Sequence, residues 1–162
     1  MINKKNNFFV GVICITMMSL FTSCDKVEDS DTGGTAVEDI ASDWTVEILR
    51  DGSEFASGHL STYNTAGNTS DKLWIDDQKD GWGLKSKVDL NLSSKTFSGT
   101  DLDELYFDVT VTITDGVVIK NGTTAPSGTE TDSIYFKAVF SDVPNSVFEY
   151  YGHKRTGFAE DE

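Results

Sequence analysis

The chain has 162 residues, 38% of them hydrophobic, and a formal charge of −14 at neutral pH. That length suits one domain. The charge excludes nucleic acid and anionic headgroups as electrostatic partners, since both are bound by basic surfaces. Its two cysteines, Cys14 and Cys24, both lie near the N-terminus, so the remainder has neither a disulfide framework nor a thiolate metal site.

The start reads as a leader. "MINKK" is basic, "FFVGVICITMMSLF" is an apolar run too short to span a bilayer comfortably, and "TSC" follows. That order predicts a secretory signal peptide over residues 1–23. Leu20-Phe21-Thr22-Ser23-Cys24 resembles a lipobox, the cleavage and lipidation signal of bacterial lipoproteins. The resemblance implies that Cys24 is the first mature residue and carries acyl chains that hold the protein to the outer membrane, on its periplasmic or cell-surface face. Residues 24–43 are polar, acidic and free of aromatics, which predicts a flexible tether. Asp25, Glu28 and Asp29 loosely resemble the acidic surface-export signal of some gut bacterial lipoproteins.

From Trp44 to residue 162 the apolar period is two. Trp44, Val46 and Ile48 alternate with Thr45 and Glu47; Leu60, Thr62 and Asn64 alternate with His59, Ser61 and Tyr63. "KLWI" (72–75) is a short β-prone run. Leu84, Ser86, Val88, Leu90 and Leu92 face one way, and Lys85, Lys87, Asp89 and Asn91 the other. Val109, Val111 and Ile113 alternate with threonines, and Asp115-Gly116 predicts a tight hairpin before "VVI" (117–119). Ile134, Phe136, Ala138 and Phe140 form a further face, and "FEYYGHKRT" makes the last strand. "TDLDELYF" (100–107) reads as one short turn. About eight antiparallel strands with one apolar face must hide it by closing. The short links favour an all-β, up-and-down eight-stranded barrel, with a β-sandwich as the competitor.

Three clusters invite chemistry. "WIDDQKDGW" brings Asp76, Asp77 and Asp80 together between Trp74 and Trp82, where carboxylates could hold a cation or cleave a glycoside, or simply make a turn. His59 and His153 sit among abundant Ser, Thr and Asp, but no Gly-x-Ser-x-Gly elbow accompanies them. "GHKRTGF" sets His153, Lys154 and Arg155 side by side; on a strand Lys154 takes the face opposite the other two. No catalytic residue, metal ligand or cofactor is assigned from these patterns.

"TYNTA", "LWIDD", "GLKSKVDLNLSSKTF", "VTITDGVVIKNGTTAPSG", "DSIYFKAVFSDV" and "YYGHKRTGFAEDE" resemble the lipid-binding putative hydrolase family of small gut bacterial lipoproteins, over nearly all of residues 44–162. The resemblance implies a lipocalin-like (calycin) barrel and supplies neither a substrate nor a catalytic residue. Calycins typically set a Trp on the first strand against a basic residue on the last, so Trp44 is expected under Arg155, or failing that under Lys154, as a barrel clasp. The expected function is binding of a small hydrophobic or lipid-like ligand inside the barrel. Val88, Leu90, Val109, Val111, Ile134, Phe136 and Phe140 would line the interior, and Tyr63, Trp74, Trp82 and Tyr150 the mouth. The alternatives are a filled barrel acting as a subunit of a surface assembly, and a hydrolase.

Overall fold

The computed structural model describes residues 33–161, with a compact unit that begins at Gly34. The expected signal peptide, Cys24 and the first part of the expected tether lie outside the described residues. Eight strands follow in order: β1 (Ser42–Arg50), β2 (Ser53–Asn64), β3 (Lys72–Asp76), β4 (Lys85–Asn91), β5 (Thr96–Glu104), β6 (Val109–Thr124), β7 (Glu130–Phe140) and β8 (Phe148–Lys154). Each pairs antiparallel with the next, and β8 returns to β1, so the sheet closes into an up-and-down barrel rather than a sandwich. A short 3-10 helix, Ala159–Asp161, ends the described chain.

Alternation explains most of the strands. Trp44, Val46 and Ile48 on β1 and Ile134, Phe136, Ala138 and Phe140 on β7 are all at most 2% exposed, while the residues between them face outward. The β1–β2 hairpin turns on Asp51-Gly52, whose φ angles of 52° and 79° are both left-handed, as a two-residue type I′ turn requires. Asp51 also receives the Val147 N–H on its carboxylate at 2.8 Å, which ties this hairpin to the β7–β8 loop.

Three expectations are corrected. Asp115-Gly116 makes no hairpin. It is a bulge inside β6, where the register with β7 shifts between Thr114 and Val117. Gly116 is needed there because a Cβ would lie 2.3 Å from the Phe97 carbonyl oxygen of β5. Second, "TDLDELYF" is no isolated turn: it begins inside β5, and only residues 105–108 turn. Two register shifts against β6, around Gly99, break the alternation that would have announced that strand.

Third, the flexible tether does not extend to residue 43. Val37 and Ile40 are 0% and 1% exposed and belong to the core. Residues 36–40 form tight turns, with Ile40 and Ala41 N–H groups donating to the Val37 carbonyl at 3.0 and 2.9 Å. Two apolar residues three apart in an acidic run were enough to anchor it.

The interior is filled by side chains, as an eight-stranded barrel allows. Phe136 stacks on Tyr150 at 4.6 Å between centroids and meets Phe97 edge-on at 5.7 Å. Phe140 and Phe148 pack edge to face at 5.4 Å. Of the expected interior set, Val88, Leu90, Val111, Ile134, Phe136 and Phe140 are buried in this single cluster, and Val109 packs half-buried against it. If the segment before β1 is part of the core, Ile40→Ala should destabilise the protein by about 2–5 kcal/mol in chemical denaturation. A tether residue would give no measurable change.

Candidate functional site

One barrel end is closed by the loop between β3 and β4. Asp77 is fully buried there and accepts the backbone N–H groups of Lys79, Gly83 and Leu84 at 3.0, 3.2 and 2.7 Å. The Tyr150 hydroxyl donates to the same carboxylate at 3.1 Å. Burial raises the Asp77 pKa and these donors oppose the rise; burial, and then Asp77 itself, push the Tyr150 phenol well above its ordinary value. Gly81 must lack a side chain, since a Cβ would come within 2.6 Å of both the Asp77 carboxylate and Ile48.

Trp82, from the same loop, packs on Phe148 at 5.1 Å and Phe55 at 5.9 Å. The Arg50 guanidinium lies 5.2 Å from the Trp82 ring and 5.5 Å from Phe148, held by two bonds to the Ser146 hydroxyl at 3.1 and 3.0 Å. This is a cation–π clasp. At the other end of β1, Trp44 is held by a hydrogen bond. Trp44 is fully buried, and its indole N–H donates to Thr62 Oγ1 at 2.9 Å. Thr62 in turn donates to the Ile40 carbonyl at 2.5 Å. Arg155 is exposed, with its backbone N–H on the Asp43 carbonyl. Register sets Lys154, the second of the two expected partners, opposite Trp44, and Lys154 is half-buried.

Tyr63 and Trp74 are not at a mouth. They are paired across β2 and β3 on the outer face of the barrel, with rings stacked at 6.5 Å. Below them Asp76 receives Lys85 at 2.7 Å, Tyr63 at 3.1 Å, Tyr106 at 2.6 Å and the Gln78 N–H at 3.0 Å. Burial alone would raise the Asp76 pKa, but Lys85 and the other donors outweigh it and hold the carboxyl below its ordinary value. Burial and Asp76 together push the Tyr106 phenol up to about 12. Asp80 pairs instead with His59 Nδ1 at 3.2 Å. The three aspartates of "WIDDQKDGW" therefore serve three different sets of partners, and among the described residues no three His, Asp or Glu side chains converge as a metal site.

A concavity of about 670 Å³ lies on the outside, across the seam where the barrel closes. Its floor is the row Gly58–Val46–Gly152–Ile134, running across β2, β1, β8 and β7. Two of these four residues are glycines, and a Cβ on Gly152 would strike the Thr45 carbonyl oxygen at 2.0 Å. On one side stands the outward row His59–Thr45–His153–Ser133, and on the other Ser57–Glu47–Tyr151–Tyr135. Both histidines of the chain thus share one row. The C-terminal 3-10 helix borders the groove: Thr45 Oγ1 donates to the Asp161 carbonyl at 3.1 Å, and the Asp161 carboxylate receives the Ser127 N–H and hydroxyl at 2.6 Å each and the Thr156 hydroxyl. Apart from Ile134, whose backbone belongs to the floor, none of the residues expected to bind a ligand lines this groove. The outward positions of β1, β2, β7 and β8 were legible by period two, but their meeting across the closure seam needed the register.

Removing the Asp77 carboxylate strands three backbone donors and the Tyr150 hydroxyl, so Asp77→Ala should cost about 2–4 kcal/mol in chemical denaturation. Asp76 has a folded pKa below the ordinary 3.8, so its stabilisation is fully present at neutral pH and is lost as pH falls through the folded value. Lys85→Met should therefore move the acid-unfolding midpoint to higher pH, measured by circular dichroism. Asp77 has the opposite sign: its folded pKa is raised, so its contribution is present at acid pH and fades as pH rises through the folded value.

No curated protein matches the chain. The model of a family described as lipid-binding putative hydrolase matches residues 29–159. That match starts ahead of Trp44, as the buried Val37 and Ile40 do, and runs through β8. With the closed eight-stranded barrel already established, the chain belongs to the lipid-binding putative hydrolase family.

Proposed function

We propose that the protein is a membrane-anchored module, held through acyl chains on Cys24, that binds a small lipid-like molecule in the outer groove over the β1–β8 seam. The observation that carries this reading is the contrast between the two candidate sites. The interior is occupied by Phe97, Phe136, Tyr150 and their neighbours, whereas the groove offers about 670 Å³ between two outward rows of side chains. That volume falls in the range of small-molecule sites, about 300–1,000 Å³. The family description supports a lipid-like ligand. Affinity would come from removing apolar ligand surface from water, roughly 25 cal/mol per Å² before the costs of association. Polar groups of the two flanking rows would orient the head.

Ser57 is exposed, lines the groove and has room outward, so Ser57→Trp should fill the site without disturbing the core. A fluorescent fatty-acyl probe should bind the unmodified chain saturably and lose about tenfold or more in affinity to Ser57→Trp. Unchanged affinity in Ser57→Trp together with altered affinity in Trp82→Ala would move the ligand into the barrel. No saturable signal at all would end the binding reading.

One observation favours a hydrolase as the second reading. Asp80 lies 3.2 Å from His59 Nδ1, the arrangement that orients an imidazole as a base, and Thr45 and Ser57 flank that histidine on the same face. This reading requires turnover of a short-chain ester that His59→Ala abolishes; a chain with no turnover is not this enzyme.

A further inference from the structure

We infer that the polar end of the ligand is an ammonium group, seated in the row of Glu47, Tyr151 and Tyr135. This rests on the groove being the binding site, and adds which head group it selects.

The first ground is charge. Among the described residues, the groove is lined by the carboxylates of Glu47, Glu160 and Asp161 and by no lysine or arginine. A carboxylate or phosphate head would meet three like charges and, among the described lining residues, no lysine or arginine, whereas an ammonium meets complementary potential. The chain's charge of −14 adds long-range attraction for cations. Asp161 is largely engaged by Ser127 and Thr156, and of the three carboxylates only that of Glu47 stands on a strand, next to Val46 of the floor.

The second ground is the rings. Glu47, Tyr151 and Tyr135 are direct cross-strand neighbours on β1, β8 and β7. Neighbouring side chains in such a row stand about 5 Å apart, close enough for one ammonium to touch two of them. Both phenols donate to carboxylates, Tyr151 to Glu47 and Tyr135 to Glu149, the latter at 2.8 Å. Burial and the Glu149 bond raise the Tyr135 pKa, and the Glu47 bond raises that of Tyr151, so both rings stay neutral phenols that attract cations by their faces. The structure contains an internal example: the Lys137 ammonium lies 6.0 Å from the Tyr135 centroid. That lysine is also paired with Asp115 at 3.1 Å and does not line the groove. His59 and His153 occupy the other row, two residues away along their strands or about 7 Å, and His59 is paired with Asp80.

The test uses the full chain in about 150 mM salt, where loose surface attraction is screened. Three probes share one dodecyl chain and differ in head: trimethylammonium, maltoside and carboxylate. Calorimetric titration below their micelle concentrations should show the ammonium binding about tenfold tighter than the carboxylate. Glu47→Gln should shrink that ratio to about twofold or less, with the fold checked by its thermal transition. If the carboxylate binds as tightly as the ammonium, or Glu47→Gln leaves the ratio unchanged, the head-group inference falls while groove binding stands. If none of the three binds, the groove reading falls and takes this inference with it.

Discussion

An eight-stranded barrel encloses a space only as wide as its own side chains, and here that space is spent on rings. Phe136 stacks on Tyr150 and meets Phe97 edge-on, and Phe140 and Phe148 pack edge to face. The largest consequence is polar. Tyr150 brings a hydroxyl into a fully buried position, and a buried hydroxyl needs a partner. The β3–β4 loop supplies one by folding Asp77 inward, and the carboxylate's remaining capacity then organises the loop's own backbone. The turn at that end of the barrel is thus shaped from inside, by one phenol.

The two ends of β1 are held by the same residue types in different ways. At its start, Trp44 reaches Thr62 and, through it, the Ile40 carbonyl, so the indole secures the segment that precedes the sheet. At its end, Arg50 lies over Trp82 and Phe148 and is fixed by Ser146. A cation–π clasp is present at this second end, between a loop tryptophan and a first-strand arginine, residues other than the Trp44 and Arg155 or Lys154 of the expectation. The physics of an arginine on an indole was foreseeable; the pair was not, because neither Arg50 nor Trp82 sits in the position that strand alternation singles out.

What the sequence made legible follows where alternation holds. β1, β4 and β7 stand out because each keeps an unbroken apolar face. β5 does not, because bulges near Gly99 reset its parity twice. Asp-Gly pairs look identical in sequence at 51–52 and 115–116, yet one turns a hairpin and the other relieves a crowded point in a long strand. The local dipeptide carries the capacity for left-handed φ; which use it serves depends on the neighbouring strand, which is non-local information. The same limit applies to function. The buried residues were visible as a set, but whether they surround a void or one another is a question of ring packing. Tyr63 and Trp74 look like mouth residues only until register sets them on the outer face.

The groove is a product of closure. Its two flanking rows each draw one residue from β2, β1, β8 and β7, so half of each row comes from the first hairpin and half from the last. At the seam itself stands Gly152, where the β1 backbone comes so near that a Cβ would lie 2.0 Å from the Thr45 carbonyl oxygen. A molecule bound there would touch both hairpins and would favour only the closed form, so binding and barrel stability would be linked through one seam. A guest selected by charge would then give Glu47 on β1, and Glu160 and Asp161 on the 3-10 helix, a second role beside solubility.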